Sequence, residues 1–101
     1  MLKRQTVPSA DEAAALALSG LAFLAGDESR LGRFLALTGI GPDQLRAAAD
    51  APETLVAVLD YLLADESLLL VFSSSAPTPP EAIAPARAVL ARTLGAEAAD
   101  G

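Results

Sequence analysis

Asp27-Glu28-Ser29 and Asp65-Glu66-Ser67 are the two places where carboxylates stand directly beside a serine. That arrangement serves catalysis when a base activates the serine and a third group holds the base in place. The chain has no histidine and no cysteine, which removes the commonest general base, the commonest metal ligand and every Ser-His or Cys-His pair. Carboxylates, Tyr61 and Lys3 are what remain for an enzyme. Both triplets have a simpler role, because Asp ahead of Glu-Ser and a leucine-bearing segment is a helix cap. Asp60, Asp65 and Glu66 lack the alternating oxygen ligands and the glycine of a calcium loop, and they read as a solvated acidic face. Tyr61 reads as a packing residue with a wet hydroxyl. No catalytic residue, metal or cofactor is expected, and the chain is not expected to be an enzyme.

Binding is the chemistry left, and the basic residues locate it. The net charge is −6, yet it is unevenly spread: residues 1–50 carry five basic and six acidic side chains, residues 51–101 two and seven. A surface for anions therefore belongs to the first half. Arg30 and Arg33 flank Gly32 on one helix face, with Arg46 on the next short helix. Exposed arginines of this kind can pair with Asp27, Glu28 or Asp43 for about 0–1 kcal/mol each. They can equally receive an acidic partner, since the guanidinium fork matches a carboxylate. A glycine inside a helix costs about 1 kcal/mol relative to alanine, which close approach of another backbone would explain. Arg30, Gly32, Arg33 and Arg46 are thus the candidate partner-binding residues, the partner being another protein or a second copy of the chain.

The stretch Leu31 to Arg46 also has the pattern of a helix-turn-helix, with Gly39 in the turn and Leu45 anchoring the second helix. Its reading face would offer only Asp43, Gln44 and Arg46, and Leu35 stands where a close helix crossing calls for a small residue. Affinity for DNA comes largely from phosphate neutralisation, for which an acidic chain with one lysine is poorly equipped. A small DNA-binding regulator is therefore the alternative, and nucleic acid is not the expected partner.

The elements that must position these residues are helices. Alanine and leucine number 23 and 18 of the 101 residues and lead the helix-propensity scale. Ser9-Ala10-Asp11-Glu12 is a capping box opening a helix to about Ala25, with Leu16, Leu21, Phe23 and Leu24 as its apolar face and Gly26 as a left-handed stop. Asp27 caps a second helix with the stripe Leu31, Phe34, Leu35 and Thr38, closed by Gly39-Ile40 in a Schellman ending. Pro42 opens a third, to about Ala49. Asp50 caps a fourth, whose buried face is Leu55, Val56, Val58, Leu59, Leu62 and Leu63, with Thr54, Ala57, Asp60, Tyr61 and Ala64 opposite. Leu68 to Ser75 forms a fifth. Thr78-Pro79-Pro80-Glu81 is a capping box for the last, interrupted at Pro85 and stopped at Gly95.

The charge-free run Ala13 to Gly26 follows Lys3 and Arg4, but Asp11 and Glu12 stand directly before it. Its fourteen residues are also too few to span a bilayer. A cytoplasmic location without membrane insertion is expected, and the lack of cysteine allows a reducing compartment.

A shift of 38 residues aligns 21–48 with 59–86, and nine of the 28 pairs are identical, among them Asp27/Asp65, Glu28/Glu66, Ser29/Ser67 and Phe34/Phe72. Phe23 meets Tyr61 in the same alignment. The fold expected is all-α, a single-domain bundle of five or six helices, with two copies of a three-helix unit about a pseudo-dyad. Residues 1–8 form a flexible arm, 9–95 the helical domain and 96–101 a disordered tail. Arg30, Gly32 and Arg33 become Leu68, Leu70 and Val71 in the second copy, so that helix is expected to be exposed in the first copy and buried in the second.

Ala22-Phe23-Leu24-Ala25, Arg30-Leu31-Gly32-Arg33-Phe34-Leu35-Ala36-Leu37-Thr38-Gly39 and Leu59-Asp60-Tyr61-Leu62-Leu63-Ala64-Asp65-Glu66 resemble a family of short proteobacterial proteins known only as a domain of unknown function. The resemblance covers Leu16 through Phe72 and leaves out the Pro77 to Pro80 linker and Pro85. It implies no activity, cofactor or catalytic residue. The function expected is a non-catalytic protein-interaction or accessory module.

Overall fold

The computed structural model describes the backbone of residues 7–100 and the side chains of residues 7–95, and the chain there forms six α-helices and a short 3₁₀ turn. In order these are α1 (Ala10–Ala25), α2 (Glu28–Thr38), α3 (Pro42–Ala47), α4 (Pro52–Leu63), α5 (Glu66–Ser75), the turn Pro80–Ala82 and α6 (Ile83–Asp100). No strand occurs among the described residues. The expected all-α bundle is what the chain forms.

Three helices, α1, α4 and α6, pack on one another to make the core, and α2 and α5 lie against it. The face that α1 turns inward is made of small residues: Ala13, Ala17 and Gly20 are buried along with Leu21 and Leu24. A Cβ at Gly20 would sit 3.1 Å from both Leu62 Cδ1 and Val58 Cγ1, so the absence of a side chain there lets α4 approach closely. Leu16 and Phe23, expected in the buried face, are only half-buried. On α4, Leu55, Val56, Val58, Leu59 and Leu62 are buried as expected, but Leu63 is exposed and Thr54, placed on the outer face, is buried.

The outer helices are each pinned by one aromatic ring. Phe34 is the only fully buried residue of α2, and Phe72 the only one of α5. Phe72 meets Phe23 at 5.4 Å between ring centroids, and Phe34 meets Tyr61 edge-on at 5.3 Å; both lie in the favourable range for aromatic pairs. The 38-residue shift converts one of these contacts into the other, which is the exchange a twofold-related pair of units would make. Burial does not follow the expected difference between the units. Leu70 and Val71 are 50% and 45% exposed and Leu68 is half-buried, while Arg30 is half-buried too. Each helix buries one aromatic ring fully, with Leu31 and Leu35 of α2 and Leu68 and Leu69 of α5 packed half-buried beside it, while Leu70 and Val71 stay exposed.

Helix starts divide into two kinds. Where no proline follows, a side chain caps: Ser9 and Glu12 form the reciprocal box at 3.1 and 2.8 Å, Asp27 Oδ1 accepts from the Ser29 and Arg30 amides, and Asp65 Oδ1 accepts from Leu68. Where proline takes the first helical position, the residue before it must be extended and becomes the cap. Ala51, not Asp50, therefore caps α4, and Pro79, not Thr78, precedes the turn at Pro80, neither with a side-chain hydrogen bond.

The ends also differ from expectation in places. Gly26 keeps right-handed dihedrals, φ −74° and ψ −6°, because Asp27 turns the chain at once into extended backbone. Gly39 is left-handed at φ 77°. Its N–H donates to the Leu35 carbonyl, and the Ile40 N–H goes to Thr38 Oγ1 instead of completing a Schellman pair. Pro85 is the third residue of α6, inside a first turn that tolerates it, and the irregularity lies earlier in the 3₁₀ turn. Helix α6 continues through Gly95 to Asp100, taking in most of the segment expected as a tail, since one exposed glycine costs a helix only about 1 kcal/mol. Residues 1–6 of the expected arm, with Lys3 among them, and Gly101 lie outside the described residues. No described helix is long and apolar enough to cross a membrane.

These caps separate three aspartates that look alike in sequence. Asp27→Ala and Asp65→Ala should each lower stability by about 0.5–2 kcal/mol, whereas Asp50→Ala should change it by less than about 0.5 kcal/mol. Urea denaturation of the three variants tests this, and an Asp50 variant as destabilised as the other two would contradict the assignment.

Candidate functional site

With Phe34 turned into the core, Arg30 lies one turn before it on the same side of α2 and is half-buried at the rim, while Arg33, one residue before it, is turned to solvent. The Arg30 guanidinium carbon stands 4.4 Å from the centroid of the half-buried Phe23 ring. Such stacking holds the plane of the group and leaves its N–H edge free to bond. Arg33 is exposed. Among the described residues no carboxylate lies within 4.0 Å of either arginine; the ion pairs present are Arg46–Asp43 and Arg87–Asp60, both at 2.8 Å. The expected pairing with Asp27, Glu28 or Asp43 therefore applies to Arg46 alone.

Arg30 and Arg33 share an open cleft of about 310 Å³ with Ser29, Tyr61, Asp65 and Leu68. Its walls come from the start of α2, the last turn of α4 and the start of α5. Tyr61 reaches it because its ring is wedged edge-on against Phe34. Arg46 does not line the cleft, so the three arginines do not form one patch. Asp65 has one carboxylate oxygen on the Leu68 amide, and neither it nor Tyr61 makes a hydrogen bond to Ser29 among the described residues. The cleft thus presents donors for an anion without an activated nucleophile.

Gly32 lies on the exposed surface of α2, and a Cβ built there meets nothing within 4 Å. No neighbouring backbone inside the bundle accounts for it. The acidic cluster on α4 and α5 is engaged elsewhere: Asp60 accepts from Arg87 Nε at 2.8 Å and from its terminal nitrogen at 3.4 Å. That hydrogen bond and the carboxylate charge push the Arg87 pKa up. No group of three or more potential metal-ligating side chains occurs among the described residues. In the helix-turn-helix stretch, α3 has six residues, none of them buried. Asp43 and Arg46 bond each other, and Gln44 Oε1 accepts from the Gly41 amide at 3.3 Å.

Sequence reasoning singles out Arg30, Gly32 and Arg33 but does not place Tyr61, Ser29 and Leu68 beside the two arginines, and Gly32 does not line the cleft. The 38-residue shift, which pairs Arg30 with Leu68 and Phe23 with Tyr61, is the one sequence feature that links residues of the two sides.

In comparison with known proteins, residues 10–93 match the family described as "Protein of unknown function (DUF3572)". The matched span is longer than Leu16 to Phe72 and brings the proline-rich linker and Pro85 inside the family's domain. No curated protein and no solved structure matches the chain.

The open surroundings of Gly32 lead to a specific expectation. Gly32→Ala should raise stability by about 0.5–1 kcal/mol, because a mid-helix glycine gains helix propensity without a clash. Urea denaturation measures it, and a loss of stability would mean that α2 is packed more closely there than the structure has it.

Proposed function

The chain belongs to the DUF3572 family, and from that premise we propose that it is a non-catalytic protein-interaction module that contacts an acidic protein partner through the outer face of α2. The observation that carries this reading is that Arg30 and Arg33 have no carboxylate partner among the described residues of a chain whose net charge is −6. Internal pairs were within easy reach in composition, and Arg46 and Arg87 both have one. Arginine at a desolvated interface contributes more than a solvated pair does. Gly32 between the two leaves the helix backbone bare for a partner to approach. The bundle is read as a duplicated unit in which the first copy has been adapted for this contact. A cytoplasmic location suits a domain that needs no disulfide.

The helix-turn-helix reading has less behind it. A recognition helix of six residues whose Asp43, Gln44 and Arg46 are engaged with one another or with Gly41 has few groups left for bases or phosphates.

The test is a pull-down from the native cytoplasm comparing the wild type with an Arg30→Ala, Arg33→Ala double variant whose helical content is checked by circular dichroism. The double variant should lose one or more bound proteins. An unchanged set would refute the arginine face as the contact.

A further inference from the structure

The cleft has two unlike sides, and the 38-residue shift relates them. Arg30 and Leu68 are equivalent positions, and both line the cleft. On the α2 side stand Ser29, Arg30 and Arg33; their counterparts on α5 are Ser67, Leu68 and Val71. Leu68 and Val71 are three residues apart on α5 and so are neighbours on its surface. Val71 is 45% exposed, which leaves an apolar ledge running one turn onward from the cleft wall.

We propose, resting on the interaction reading above, that this cleft receives an acidic and apolar peptide segment of the partner, with one carboxylate on the Arg30 and Arg33 guanidinium groups and the Tyr61 hydroxyl and a neighbouring apolar side chain on Leu68 and Val71. Charge selects this occupant. Two guanidinium groups without a carboxylate among the described residues favour an anion, and a carboxylate accepts the paired N–H donors of an arginine fork. The half-buried Tyr61 hydroxyl makes no hydrogen bond among the described residues and can donate a third. The volume of about 310 Å³ is at the small end for a ligand pocket, which suits one or two side chains of an extended segment. Asp65 on the rim has an oxygen beyond the one bonded to Leu68 and accepts from a backbone N–H of the segment, while its charge disfavours a second carboxylate at that edge.

The probe is the peptide acetyl-Glu-Leu-Glu-Leu-amide, titrated into the 15N-labelled full chain and followed by amide chemical shifts. Controls are acetyl-Gln-Leu-Gln-Leu-amide, acetyl-Glu-Ser-Glu-Ser-amide and inorganic phosphate. The expected result is saturable shifts at Ser29 to Phe34, Tyr61, Asp65 and Leu68 to Val71, with affinity falling at least about tenfold for the Gln and the Ser peptides. Tyr61→Phe, which keeps the ring against Phe34, should weaken the first peptide severalfold without altering the rest of the spectrum. No saturable shift, equal binding of the Glu and Gln peptides, shifts centred elsewhere, or phosphate binding as tightly as the peptide would each overturn the proposal. If the arginine double variant loses its partner in the pull-down while the Glu peptide fails here, the arginine face stands and the cleft assignment falls.

Discussion

Phe34 fixes the rotation of α2, and the placement of Arg30, Gly32 and Arg33 follows from that one buried ring. It is the only side chain of its helix removed fully from water, and losing a buried Phe costs about 3–5 kcal/mol, so α2 cannot turn about its own axis cheaply. With Phe34 inward and Tyr61 edge-on against it, Arg30 settles over Phe23, Arg33 faces solvent and Gly32 lies bare between them. Phe72 does the same for α5 at the equivalent position. The two rings and their partners, Phe23 and Tyr61, join α2 and α5 to α1 and α4 beside the cleft. Beneath them α1 and α4 of the core approach closely at Gly20, where a Cβ would crowd Val58 and Leu62 at 3.1 Å.

Local rules were legible in the sequence wherever the deciding atoms lie within one turn. The Ser9 and Glu12 box, the Asp27 and Asp65 caps and the left-handed Gly39 all depend on residues two to four apart, and each forms where it was expected. Asp50 and Thr78 were misplaced for one shared reason. Each stands two residues before the proline that occupies the first helical position, and that proline makes its immediate predecessor the cap. Acidic and hydroxyl side chains are the usual caps, and here the backbone restriction ahead of proline overrides them at Ala51 and Pro79.

What lay beyond one turn was less legible. Hydropathy cannot tell a face that must be large from one that must be small, so leucines were assigned to the inner face of α1 where Ala13, Ala17 and Gly20 allow helices to meet. Apolar character also predicted burial for Leu70 and Val71, which no other element covers. The arginine face was readable because charge stands out against an acidic chain. Its companions in the cleft were not, because Tyr61 and Leu68 reach it only through the packing of α4 and α5 on α2.

On the proposed function Arg33 serves a partner and contributes nothing to the fold, in contrast to a cap or a core ring. Urea denaturation of Arg33→Ala against the wild type measures that division most directly. Stability unchanged within about 0.5 kcal/mol is the predicted result, as for a surface substitution away from any structural feature; a loss of about 2 kcal/mol or more would show that the arginine holds the bundle together and contradict its assignment to a partner.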